Sequence, residues 1–210
     1  MSYPVTFEAD YVERRNRLTT FFRLIMIIPL VIVAYVYAIL AFIVLVIAWF
    51  AIVITGRYPL GLYDFLAGWT RFSTRLLAYA ALLCDAYPPF WGQDDPSYPV
   101  RMGFTPLGQY SRVKTFFRII LAIPIVILRY VMQLLLEVSA FFAWFIIIVL
   151  GRLPRGLYDM MVLANSYIAR SDAYIYLLTE TYPPFQDEQT RSAGTPPAPT
   201  PSSSEQRAPE

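Results

Sequence analysis

An all-α membrane protein built from two tandem copies of one helical unit is the fold class this sequence predicts, and three observations lead to it. Two long apolar runs are almost free of charge, the chain repeats itself at a fixed offset, and each copy opens on a short alternating stretch. Of the 210 residues 57% are hydrophobic and 15% are charged, far from the averages of soluble domains. No charged residue lies between Arg23 and Arg57, and between Arg118 and Arg152 only Arg129 and Glu137 interrupt. An uncharged run of about eighteen residues or more is long enough to insert in a bilayer.

Composition also removes function classes. A net charge of +2 offers no broad basic surface for nucleic acid. Cys84 is the single cysteine and histidine is absent, so neither an internal disulfide nor a thiolate and imidazole metal site can form within one chain. No cofactor is implied. Lys114 is the only lysine among seventeen cations, a usage that fits a GC-rich bacterial genome. Met1 to Arg17 is acidic before it turns basic and lacks the order of a signal peptide, so the first apolar segment is expected to be retained.

A shift of 95 positions lays Ser2 through Phe90 on Ser97 through Phe185 without a gap. Ser-Tyr-Pro-Val opens both copies, Phe-Phe-Arg recurs at Phe21 to Arg23 and Phe116 to Arg118, and Pro29 matches Pro124. Ala48-Trp49-Phe50 matches Ala143-Trp144-Phe145. Gly-Arg-x-Pro-x-Gly-Leu-Tyr-Asp stands at Gly56 to Asp64 and again at Gly151 to Asp159, and both copies close on Tyr-Pro-Pro-Phe, at Tyr87 and at Tyr182. The domain reading is a first repeat over 1–94, a second over 95–188, and a disordered tail over 189–210. The tail is rich in Pro, Ser and Thr and has no apolar periodicity. Duplication by itself indicates pseudo-symmetry and not an activity.

These motifs resemble the DUF4389 family of uncharacterised bacterial membrane proteins. The resemblance rests on the Ile-Pro of the apolar run, the Trp-Phe followed by Gly-Arg-Tyr-Pro-x-Gly, and the closing Tyr-Pro-Pro-Phe, and it covers nearly all of residues 2 to 188. It implies a membrane fold and carries no activity. The second copy departs modestly, with Leu153 where Tyr58 stands and two charges inside its apolar run.

Along one unit, the alternation of Tyr3 to Asp10 and of Tyr98 to Phe104 predicts short strands that could pair with each other. Basic clusters follow at Arg14, Arg15 and Arg17 and at Arg112 and Lys114. The run Leu24 to Thr55 measures about 48 Å as a straight helix, too long for one upright crossing. Because both ends are basic, the positive-inside rule favours a hairpin of two short crossings turning near Tyr37 to Phe42, both ends cytoplasmic. Against it, no Gly, Asn or Pro marks a turn between Leu30 and Ile54, and Arg129, Gln133 and Glu137 lie at i, i+4 and i+8 of an unbroken helix. Gly56 is expected to end the run, with Asp64 and Asp159 as caps of the next helices. The helix from Asp64 to about Cys84 puts Phe65, Trp69, Phe72, Leu76, Tyr79 and Leu83 on one side and Arg71 and Arg75 on another. That pattern suits the headgroup boundary. Its second copy has Arg170 on the polar side.

The site residues singled out fall into two sets. Arg57, Asp64, Arg71, Arg75, Arg152, Asp159 and Arg170 are candidates for lipid or partner binding, with Arg57–Asp64 and Arg152–Asp159 as ion pairs across the turn. Arg129, Gln133 and Glu137 are polar residues at membrane depth, a functional hypothesis by default. Tyr63, Tyr158, Trp49 and Trp144 are expected as interface anchors. No nucleophile stands beside a base, so no catalytic residue and no enzyme is expected. The functional expectation is a non-enzymatic scaffold or accessory subunit of the bacterial cytoplasmic membrane, multi-pass with cytoplasmic termini. It would associate with lipid and with a larger membrane complex or further copies of itself. A small transporter or channel, and a lipid-headgroup binder, are the alternatives.

Overall fold

The apolar runs fold as single helices and not as hairpins, which corrects the expected turn near Tyr37 to Phe42. The computed structural model of the chain describes residues 3–185, and the expected tail lies outside the described residues. Helix α1 spans Arg17–Thr55, unbroken through Pro29. The reason is local and tertiary together. No residue between Leu30 and Ile54 favours leaving the helix, and a buried stripe of Thr20, Arg23, Leu30, Ala41, Ala48 and Ile52 runs its full length at helical spacing. At its start the Asn16 side chain accepts from the amides of Leu18 and Thr19 at 3.0 and 3.4 Å. At its end Gly56 takes the left-handed conformation, φ +72°, and returns its amide to the Ile52 carbonyl.

Helix α2, Leu60–Ala80, begins directly after Pro59, so Asp64 lies inside the helix and is not its cap. The proline, with no amide to donate and its φ already set, supplies the start that an aspartate was expected to supply. In the second repeat the long helix is divided into α3, Arg112–Phe116, and α4, Arg118–Leu150; helix α5, Arg155–Ile175, starts after Pro154, again without Asp159 as a cap. Gly151 closes α4 at φ +68° as Gly56 closes α1.

The strands β1, Val5–Ala9, and β2, Val100–Phe104, pair antiparallel, as the alternation predicts. Their register carries the symmetry of the molecule. Val5 faces Phe104, Ala9 faces Val100, and Phe7 faces Met102, its own equivalent in the second copy. A pseudo-two-fold axis therefore passes through the centre of the sheet.

Along that axis the chain forms three layers. The sheet lies on α2 and α5: Arg71 and Arg75 donate to the Met102 and Val100 carbonyls at 3.0 and 3.3 Å. Beneath, α2 packs on the middle of α1, where Tyr37 meets Phe65, Trp69 and Phe72 with ring centroids 5.2 to 5.8 Å apart. The last layer is α1 beside α4. These two run antiparallel: Arg17 at the start of α1 donates to the Val149 carbonyl at 3.0 Å, and Trp49 near its end donates to the Thr115 carbonyl at 3.0 Å. The repeats interlock, since Tyr110 bonds the Gly56 carbonyl and Arg15 the Gly151 carbonyl through their backbones. The expected insertion of both copies in one orientation as parallel hairpins is replaced by this exchange of ends.

Candidate functional site

The buried arginines hold the fold together. Arg23 reaches from α1 to the loop that follows α2, donating to the Tyr79 and Cys84 carbonyls at 2.6 and 3.0 Å and to the Asp85 carboxylate at 2.6 Å, with its guanidinium over the Tyr79 ring. Arg118 does the same in the second copy, donating to the Tyr174 and Thr179 carbonyls and lying over the Tyr174 ring at 3.6 Å. Both loops need such a partner. Leu82 and Leu177 leave their helices at φ +66° and +65°, a left-handed conformation that leucine adopts at a cost of about 1–2 kcal/mol. The turn leaves buried carbonyls that require donors. Sequence periodicity placed Arg23 and Arg118 only as flanking cations; the matching Tyr79 and Tyr174 one repeat apart were the available signal.

Arg71 and Arg75 were expected to face lipid headgroups, and the structure directs them to β2 instead. Arg75 is buried and donates also to the Gln93 carbonyl at 2.8 Å, while Arg71 lies over the Phe104 ring. Arg170 is buried too and bonds the Ser166 carbonyl and hydroxyl on its own helix. A strand on the polar face of α2 is what periodicity could not reveal: a face that reads as solvated can be covered by backbone carbonyls, which accept from arginine. Tyr63 and Tyr158, expected at the interface, are buried, and Tyr63 packs on Tyr58 and Tyr158 on Tyr11.

The expected ion pairs of the Gly-Arg turn are not the ones formed. Arg152 lies 3.8 Å from Glu13, and Asp159 takes Arg155 one helical turn before it at 3.2 Å. Arg57 and Asp64 are both exposed, and no ion pair between them is present among the described residues. The helix begins four residues before each aspartate and carries its side chain away from the turn.

Arg129 has a partner that sequence reasoning missed. Its guanidinium donates to both oxygens of Asp172 on α5, at 2.6 and 3.2 Å. Burial pushes the Asp172 carboxyl above the usual carboxylate range, and the arginine pulls it partly back. Gln133 donates to Glu137 at 2.9 Å along the same helix. The first copy has Ala34 and Leu77 where the second has Arg129 and Asp172, so the two charges occur together or not at all. Ser73, Thr74, Arg129, Gln133 and Asp172 line a cleft of about 220 Å³.

What α1 and α4 leave accessible is mostly apolar. Leu18, Ile25, Ile32, Ile39, Ile43, Phe50 and Ile54 are all about half exposed or more along α1, and Ile119, Ile127, Leu134, Phe141, Phe145 and Val149 repeat this along α4. Only 11% and 17% of the most apolar stretches of α1 and α4 are buried, whereas the core helix of a soluble protein is mostly buried. Both have the length and composition of membrane-inserted helices. A cleft of about 650 Å³ between them is walled by Phe42, Val46, Trp49, Ile119, Ile123 and Ile127. Cations stand at both ends of the pair: Arg14, Arg17, Arg152 and Arg155 at one, Arg57, Arg112 and Lys114 at the other, all exposed. Among the described residues no group of His, Cys, Asp or Glu side chains could hold a metal ion.

Comparison with known proteins agrees with the repeat. Residues 17–92 and 112–186 each match a family described as a domain of unknown function, DUF4389. Among curated proteins and among solved structures, none matches the chain. With two matched segments that together span most of its length and end on the same motifs, the chain belongs to the DUF4389 family, of which it carries two tandem copies.

Proposed function

We propose that the protein is a non-enzymatic scaffold embedded in the bacterial cytoplasmic membrane, which holds lipid and partner proteins against a rigid two-helix platform. One observation carries this reading: the accessible surface of α1 and α4 is apolar but for the Gln133–Glu137 pair on α4, while most of the arginines that could serve a ligand are bonded to carbonyls and carboxylates of the fold. An exposed apolar surface of this extent needs lipid or protein to cover it. The polar groups supply rigidity.

Separation of membranes tests the proposal, followed by crosslinking and purification in mild detergent. The expected result is a chain that stays with the membrane after alkaline washing and runs with a partner or with further copies of itself. A lone monomer with no crosslinked product counts against the scaffold. A transporter would draw on Arg129 and Glu137, yet Arg129 is held by Asp172 and Glu137 by Gln133. Its test is solute flux in liposomes, unchanged by Arg129→Ala if the scaffold reading is correct.

A further inference from the structure

We propose that α1 and α4 lie flat in one leaflet of an anionic lipid bilayer, with the pseudo-two-fold axis along the membrane normal, and that they do not cross it. This rests on the membrane scaffold reading and adds the orientation and the lipid class. Three independent features of the chain carry it.

The first is length. The uncharged part of α1, Leu24 to Thr55, measures about 48 Å at 1.5 Å per residue, and Ile119 to Leu150 of α4 measures the same. The hydrocarbon core is about 30 Å thick, so crossing would demand a tilt of roughly 50°, beyond the observed range of about 0–40°. Lying flat removes the mismatch.

The second is the position of the sheet. Its centre, Phe7 opposite Met102, lies on the axis, over the part of α2 that packs on Tyr37, near the middle of α1. If the long helices crossed the bilayer, this sheet would sit at mid-depth. Its surface carries Arg101 bonded to Asp10 at 2.8 Å and to Glu8 at 3.0 Å, with both carboxylates more than half exposed. Hydrocarbon does not tolerate charges so exposed. With the axis along the normal, the same sheet faces water and α2 and α5 separate it from the lipid.

The third is charge. Because α1 and α4 are antiparallel, a crossing pair would put one basic end on each side of the membrane, against the bias of cations to the cytoplasmic side. In the flat arrangement all seven exposed cations at the two ends lie at headgroup level on one side. There Arg14, Arg57, Arg112 and Lys114, for which no ion pair is present among the described residues, meet anionic lipid, each worth about fivefold in partition.

Single cysteines at Glu13, Asp64 and Glu8 sample the two ends of the platform and the sheet; all three positions are exposed. Each is added to the native chain in the cytoplasmic membrane and probed with an impermeant maleimide on intact spheroplasts and on inverted vesicles. The native Cys84 is 2% exposed and serves as a silent internal standard that labels after denaturation. The expected result is labelling of all three from the same side, at least tenfold faster than from the other. If Glu13→Cys and Asp64→Cys label from opposite sides, the helices cross: flat insertion is overturned and the scaffold survives. If the native chain stays out of the membrane fraction, both fall. For the lipid class, Arg14→Gln with Arg57→Gln is expected to lower partition into phosphatidylglycerol vesicles at least tenfold and to leave phosphatidylcholine vesicles unaffected. An equal loss on both vesicles overturns the anionic preference.

Discussion

Restoring the first repeat's solution in the second repeat is a direct test of what Arg129 does. Three variants are compared with the native chain: Arg129→Ala, Asp172→Leu, and the pair together, which recreates Ala34 beside Leu77. The Asp172 side chain is 12% exposed and that of Arg129 28%. Removing the arginine leaves a buried carboxyl without its two donors, and breaking such a pair costs about 3–5 kcal/mol. We expect about 3, because the stranded carboxyl can take up a proton. Asp172→Leu strands a cation that can still reach water, and we expect about 1–2 kcal/mol. The double variant replaces charge by apolar packing that the other repeat already uses, so we expect it within about 1 kcal/mol of native.

Thermal unfolding in detergent reads this. At roughly 2–4 °C per kcal/mol for a chain of this size, Arg129→Ala lowers Tm by about 6–12 °C and the double variant recovers nearly all of it. The pH dependence adds a sign. A carboxyl raised above its ordinary value in the folded state binds its proton more tightly there than when unfolded. Folding is then increasingly favoured as pH falls through the raised value towards the ordinary one. The deficit of Arg129→Ala is therefore smaller at pH 5 than at pH 8. If the double variant is as unstable as the sum of the single ones, Arg129 and Asp172 act independently and the structural reading of the pair is wrong.

Gly92→Ala is expected to detach the Tyr-Pro-Pro-Phe loop from α2, since a Cβ there would stand 1.6 Å from the Gly68 carbonyl oxygen; the check is proteolysis within residues 85–95, faster at least tenfold than native. Gly56→Ala forces alanine into the left-handed cap, where the Cβ also meets Arg112 Nε at 3.2 Å, and is expected to lower stability by about 1–2 kcal/mol in thermal unfolding. Burial raises the Cys84 thiol pKa and closes off access, so alkylation at pH 8 should follow unfolding and not the ordinary thiol rate. A tenfold larger folding equilibrium constant should slow it tenfold. The first repeat alone, residues 1–95, is expected to pair with a second copy, because the register that sets Phe7 against Met102 sets Phe7 against itself in a dimer. Analytical ultracentrifugation in detergent that shows a folded monomer would refute this.

The class of fold, the repeat at 95 residues, the paired strands and the helical length and apolar composition of the two runs were all legible in the sequence, because each depends on local pattern. Strand alternation has period two, helix burial has period 3.6, and charge avoidance shows over thirty residues without any knowledge of neighbours. Even the helix signature of Arg129, Gln133 and Glu137 stood against the hairpin expected from the basic flanks. What only the tertiary structure decided was which surfaces meet. The same alternation of apolar and cationic positions fits a helix facing lipid or one facing a strand, and β2 covers Arg71 and Arg75 because the two-fold exchange of strands brings it there. Equal basic flanks suggested parallel copies, yet the register of Phe7 with Met102 makes α1 and α4 antiparallel, an arrangement fixed by contacts about ninety-five residues apart. Asp172 was unremarkable until α5 packed on α4 and set it against Arg129. Local periodicity specifies an element and its faces; the partner of a face is settled by the packing of the whole chain.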